Sequence, residues 1–169
     1  GFEFTANCAG NLEILMSTEK KGKLNVTIDK DYDNSFEVNV DDTTKKCVIQ
    51  ADLTKGEHTF LIQKATEHGQ NPLFEITGVS VGGELGTAKP VQSDKRIEFY
   101  GDSITAGYGN LTTNATTNAG GWEYQNGCKT YATFTAQTLG ADYAIAAASG
   151  HGVLGGFNGK SHPDNINID

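Results

Sequence analysis

Between Arg96 and Asn110 the chain reads R-I-E-F-Y-G-D-S-I-T-A-G-Y-G-N, an apolar strand that runs into Gly-Asp-Ser and then into a helix start. That order places one hydroxyl, Ser103, at the carboxyl end of a strand. In open α/β sheets this is where ligands bind, and the free N–H groups there can stabilise a developing negative charge. A nucleophilic serine needs such a position. Gly-Asp-Ser by itself also describes a simple turn in which Asp102 or Ser103 caps a helix. Ser103 further requires a base, because a serine hydroxyl is a poor nucleophile alone. The histidines are His58, His68, His151 and His162. His151 lies in Ser149-Gly150-His151-Gly152 and His162 in Ser-His-Pro-Asp, and the plainer reading of both is a loop histidine.

The elements around Ser103 read as a βαβ unit. Arg96 to Tyr100 is a short strand, and Lys129 to Leu139 carries Tyr131, Ala132, Phe134, Ala136 and Leu139 on one side of a helix, with Gly140 as its C-cap. Tyr143 to Ala148 is a continuous run of small apolar residues, as expected of a strand covered on both faces. Strands joined in this way are parallel with a right-handed crossover. Their ends share one sheet edge, so Ser103 and the Ser149–Gly152 loop should meet there. The connection from Asn110 to Cys128 lies over that edge and contributes Trp122 and Tyr124, candidates for stacking on a sugar ring or for packing the loop down.

Upstream the period is two: Phe2 and Phe4; Leu24, Val26 and Ile28; Phe36, Val38 and Val40; Phe60 and Ile62; Phe74 and Ile76. Alternation of this kind buries one face of each strand. About seven short strands, separated by turn signals such as Asp31–Asn34, Lys55-Gly56 and His68–Pro72, predict an antiparallel β-sandwich. Glycines, Pro90 and polar residues then mark a border. The expected organisation is a sandwich over residues 1–88, a linker over 89–95 and an α/β lobe over 96–169.

Composition narrows the partners. With 37% hydrophobic and 9% aromatic residues among 169, the chain can build a globular core. Its net charge of -8 is shared by both halves and repels phosphate backbones and anionic lipid, which argues against nucleic acid and membrane and for a neutral substrate. No apolar run reaches the roughly 18 residues of a membrane helix. A start at Gly1 with neither signal segment nor methionine suggests a processed or shortened beginning. Asn25, Asn110 and Asn114 each open an N-glycosylation sequon, as suits a secreted protein, although short sequons also arise by chance. The three cysteines, Cys8, Cys47 and Cys128, leave at least one thiol without an internal partner; Cys8 and Cys47 could bridge or could both be small buried residues. No set of residues has metal-ligand spacing, and no cofactor is implied.

Ile97 to Gly109 resembles the first sequence block of the SGNH (GDSL) hydrolases. In the form F-Y-G-D-S-I-T-A-G-Y-G it is most similar to carbohydrate esterase family 2, the acetyl xylan esterase type, over that family's N-terminal portion. F-E-I-T-G-V-S-V-G-G at the end of the strand-rich segment, the helix T-Y-A-T-F-T-A-Q-T-L-G-A-D-Y and the run A-I-A-A-A-S-G-H-G-V agree with it in order. The resemblance implies a jelly-roll domain followed by the first part of a flavodoxin-like parallel-sheet hydrolase domain. It implies that Ser103 is the nucleophile, that the N–H groups of Ser103 and Gly150 form part of the oxyanion hole, and that Asp102 positions the turn. It also implies an acetylated polysaccharide as substrate and an extracellular location. The family's Gly-x-Asn-Asp and Asp-x-x-His blocks, sources of the oxyanion asparagine and the base, do not occur here. The expectation is therefore that a second chain or a further segment completes the hydrolase domain, and that residues 96–169 alone leave an open sheet and an unaided serine. The alternative is a non-catalytic glycan-binding or structural protein with a degenerate hydrolase lobe.

Overall fold

The computed structural model describes residues 1–67, 74–85, 93–113, 121–152 and 156. The chain divides into two compact units: Gly1–Lys64 with Asn71–Val91, and Ala65–Gln70 with Gln92–Asp169. Ala65–Gln70, which lies inside the expected 1–88 domain by sequence, groups with the second unit.

The first unit is a single antiparallel sheet of five strands. These are β1 (Phe2–Thr18), β2 (Gly22–Ile28), β3 (Phe36–Val40), β4 (Lys46–Lys64) and β5 (Phe74–Leu85), in the order β3-β2-β4-β1-β5. Among the described residues five strands, two of them very long, stand where about seven short ones are expected, and they form one curled sheet where two packed sheets were predicted. The cause is visible in the pairing of β1 with β4. Phe2 faces Ile62 and Cys8 faces Gly56, but Gly10 faces Leu53, Leu12 faces Gln50 and Glu13 faces Val48. β4 thus gains three residues on β1 across that stretch. Bulges bend a strand and increase its twist without ending it, so Lys55-Gly56, which looks like a turn, lies inside β4. An odd number of extra residues also reverses the alternation. Phe60 and Ile62 point inward at even positions, whereas Cys47 and Ile49 do so at odd ones.

The concave core contains Leu12, Ile14 and Met16 of β1, Leu24 and Val26 of β2, and Ile49, Phe60 and Ile62 of β4. Phe4 bridges Phe2 and Phe60 in an aromatic stack with centroid separations of 5.7 and 5.1 Å. Cys8 and Cys47 are buried, free and far apart in register: Cys8 lies opposite Gly56, whereas Cys47 lies opposite Ile14, and its Sγ donates to Met16 Sδ at 3.2 Å. The pairing of strands therefore rules out a bridge in this fold and bears out the other reading, in which both cysteines act as small core residues.

The second unit contains the predicted βαβ motif. β6 (Arg96–Gly101) and β7 (Asp142–Ala147) are parallel and in register from Arg96↔Asp142 to Gly101↔Ala147. Between them lie the single turn α1 (Ser103–Ala106), two 3-10 turns at Trp122–Tyr124 and Gly127–Lys129, and α2 (Tyr131–Leu139). Gly140, at φ 59°, caps α2 as expected. The buried side of α2 is the small set Ala132, Thr133 and Ala136. Tyr131, Phe134 and Leu139, expected to face a core, are 51%, 55% and 46% exposed, although Phe99 packs edge-on against the Tyr131 ring at 6.1 Å. The sheet is likewise half-covered, with Glu98, Tyr100, Ala144 and Ala146 facing outward.

Candidate functional site

The chemistry expected at the sheet edge depends on how β6 turns into α1. A Cβ on Gly101 would collide with the side chain of Thr105, so only glycine lets the strand end against the helix that follows. Asp102 then caps that turn, its Oδ1 accepting from Ile104 N at 3.0 Å. This contact ties the carboxylate to the backbone of its own turn. Gly107, at φ 79°, ends the turn with its N–H on Ile104 O. Thr105 is buried, and its hydroxyl shares a 3.0 Å hydrogen bond with Tyr131 Oη, tying α1 to α2. Ser103 sits at the start of this braced turn and is partly exposed.

The second loop arrives beside it through the backbone. Ala148 N donates to Gly101 O at 3.2 Å, one rung beyond the last strand pair, so Ser103 and Gly150 each follow that rung by two residues. Ala148 to His151 is a tight turn closed by His151 N on Ala148 O at 3.1 Å. Gly150 at φ 78° and Ser149 outside the positive-φ set give it type II character. Ser149 N donates to Glu67 Oε2 at 2.7 Å, and Glu67 N donates to Gln125 Oε1 at 3.1 Å. His151 Nδ1 lies 3.0 Å from Ser149 O. A carbonyl can only accept, so Nδ1 carries the proton there. Among the described residues Ser103 Oγ makes no hydrogen bond to a histidine; His162 lies outside them.

The loop over the edge is stapled by asparagines. Asn110 Nδ2 donates to Asn126 O and to Lys129 O, each at 2.9 Å, and its Oδ1 accepts from Asn126 N at 3.0 Å. Asn126 Oδ1 accepts from Cys128 N, and Gly127 N reaches Ala65 O at 2.7 Å. Trp122 and Tyr124 are half-buried, and the Tyr124 carbonyl accepts from Leu111 N.

These contacts correct the glycosylation reading. Asn25 is 3% exposed within β2, where a glycan has no room. At Asn110 both amide hydrogens hold main-chain carbonyls, so attachment would break the staple. Asn114 lies outside the described residues. Among the described residues no cluster of three His, Cys, Asp or Glu side chains could hold a metal ion, and no helix is long and apolar enough to cross a membrane.

The family model for the carbohydrate esterase 2 N-terminal region matches residues 1–90. The chain belongs to carbohydrate esterase family 2. It is 36% identical over 121 residues to the acetylxylan esterase/glucomannan deacetylase of Cellvibrio japonicus, covering 66% of this chain and 31% of that protein. It is 32% identical over 128 residues to the cellulase/esterase CelE of Acetivibrio thermocellus, covering 76% and 15%. A family two carbohydrate esterase from Clostridium thermocellum, solved with cellohexaose, superposes with a TM-score of 0.85 at 26% identity over 97% of this chain and 49% of that one. The chain therefore spans under a third of the curated relatives it matches and about half of the solved one. The structure brings Gly101–Ser103 and Ser149–Gly150, the two segments singled out in the sequence, to the same sheet end. Glu67, Gln125 and Asn126 were missed by sequence reasoning; Asn126-Gly127, a turn-forming dipeptide, was the one local signal available.

Proposed function

We propose that this chain carries the nucleophile-bearing part of a serine carbohydrate acetylesterase. The observation that carries the reading is the Gly101–Ala148 rung, which sets the Gly-Asp-Ser turn and the Ser-Gly-His-Gly turn side by side at one sheet end. Ser103 Oγ attacks the acetyl carbonyl, and the N–H groups of Ser103 and Gly150 hold the oxyanion. The remainder of the hydrolase domain, from further sequence or a second chain, supplies the histidine that takes the serine proton and gives it to the departing sugar oxygen. Water then releases acetate from the acetyl-serine. Loss of one oxyanion donor typically lowers kcat on the order of 100- to 1000-fold.

The substrate in this reading is an acetylated polysaccharide outside the cell, with Trp122 and Tyr124 available to a sugar ring. The names of the relatives and the acidic net charge of -8 support a neutral glycan. Residues 1–88 form the curled-sheet scaffold, 89–95 the linker and 96–169 the first part of the hydrolase, with Ala65–Gln70 lent to the second unit. The test is Ser103→Ala in the full-length protein. Acetate release from 4-nitrophenyl acetate should vanish, fluorophosphonate labelling should disappear, and Tm should change by no more than a degree or two. Retained acetate release would reject the assignment.

A further inference from the structure

We infer that Glu67 and His151 are positioning residues that fix the peptide bearing the Gly150 N–H, an inference that rests on the esterase reading above. The turn Ala148–His151 has glycine at its third position, and glycine adopts positive and negative φ at similar cost. The peptide between Ser149 and Gly150 could therefore rotate between type I and type II arrangements, which send its N–H in opposite directions. Only one of these directs that N–H toward a carbonyl held at Ser103.

Two side chains select the direction. The imidazole of His151 donates from Nδ1 to the Ser149 carbonyl at 3.0 Å. In a trans peptide the carbonyl and the following N–H point oppositely, so holding the Ser149 oxygen on His151 turns the Gly150 N–H away from it. Glu67 anchors the preceding peptide, its carboxylate accepting the Ser149 N–H at 2.7 Å. Glu67 is only 8% exposed and is itself held through its own N–H on Gln125 Oε1.

A second observation marks the place. Among the described residues, Thr66 Oγ1, Gln125 Nε2 and Ser149 Oγ are buried side-chain atoms without a hydrogen-bond partner, and all three belong to the segments that Glu67 joins. Native proteins carry few such atoms. All three lie within two residues of the Glu67–Ser149 contact or on the side chain that holds Glu67 N.

The experiment uses the full-length protein and paired substitutions. His151→Phe should lower kcat for 4-nitrophenyl acetate on the order of 10- to 100-fold, part of the loss of a whole oxyanion donor, with KM nearly unchanged. His151→Asn places an amide N–H near the Nδ1 position and should recover most of the rate. Glu67→Ala should lower kcat in the same way, and Glu67→Gln, which keeps an acceptor for Ser149 N, should recover it. Amide exchange supplies a readout independent of activity: the Ser149 N–H should exchange at least tenfold faster in Glu67→Ala, with β7 amides unchanged. Unchanged kcat in His151→Phe and Glu67→Ala, in a protein whose Ser103 reacts with fluorophosphonate, would overturn the inference and leave the esterase reading standing. A wild type that neither reacts with fluorophosphonate nor releases acetate sinks the esterase reading. Unaltered Ser149 exchange in Glu67→Ala overturns the positioning role in either case.

Discussion

The two units are held by different kinds of interaction. In the first, the buried set is led by large apolar side chains, Leu12, Ile14, Leu24, Val26, Phe60 and Ile62, with Lys23, Asn25 and Thr27 of β2 among its polar members. In the second the buried residues are small or polar, among them Ala106, Ala132, Ala136, Thr105, Thr133, Gln125 and Asn126, while Ile104, Tyr131 and Phe134 are each more than half exposed. Burying apolar area at about 25 cal/mol per Å² is the main favourable term in folding. The first unit collects it within itself. The second, as described, relies more on hydrogen bonds among its loops and leaves Ile104, Tyr131 and Phe134 largely exposed. Its two-stranded parallel sheet is half-covered, although such sheets are found with both faces covered. An antiparallel sheet can bury one face within a single segment, whereas a parallel sheet needs cover on both faces.

The widest gap between the units should appear in a matched pair of truncations in the 169-residue chain. Phe60 is fully buried against Phe4, so Phe60→Ala should cost about 3–5 kcal/mol. Phe134→Ala, on the exposed side of α2, should stay within about 0.5 kcal/mol and reduce binding of a hydrophobic dye such as ANS. Urea titration of both variants checks the pair. Equal losses would mean that Phe134 is as covered as Phe60, and the contrast would fail.

A smaller effect is expected where the second unit depends on polar contacts. Asn110→Ala removes the acceptor for Asn126 N and the donor to the carbonyls of Asn126 and Lys129. An unsatisfied group of this kind costs about 1–3 kcal/mol where water cannot replace the partner. Part of this site is exposed, so the lower end of that range is expected. Asn110→Asp keeps the acceptor and loses both donations, and should fall between Ala and the wild type in thermal melts. An Asn110→Ala variant as stable as the parent would show that water serves the loop equally well.

What was legible in the sequence follows the same division by range of contact. The strand, turn, helix and strand around Ser103 each have local signatures: an apolar run, a glycine before a capping aspartate, a cap glycine at 140. These gave the parallel pair and the meeting of its two loops. The apolar side of α2 misled, because Tyr131 and Phe134 mark a surface that the described part of the second unit does not cover, while the buried side is carried by alanine and threonine. In the first unit the alternation was correct strand by strand, but three extra residues in β4 broke its phase, and a bulge at Lys55-Gly56 resembles a turn in one dimension. Glu67 was illegible for a different reason. It meets Ser149 across 82 positions, and a single polar contact of that range leaves no periodic trace.

The smallest expected effect distinguishes the first unit by its response to pH. His58 places Nδ1 2.8 Å from Asp29 Oδ2 and Nε2 2.8 Å from Thr54 O. Both partners only accept, so both contacts form at once only when the ring is the doubly protonated imidazolium. The Thr54 carbonyl and then the Asp29 carboxylate raise the His58 pKa above its ordinary 6.5, against a smaller opposing effect of burial. A folded value above the unfolded one means that the charged form stabilises the fold. This contribution is complete below about pH 6.5 and is lost as pH rises through the raised folded value. Asp29 is half-exposed, so solvent screening keeps the gain small. The difference in Tm between wild type and His58→Gln should therefore be largest near pH 5.5 and shrink by pH 8.5. A difference that stays constant across that range would mean that His58 serves the first unit through packing beside Phe60 and not through its charge.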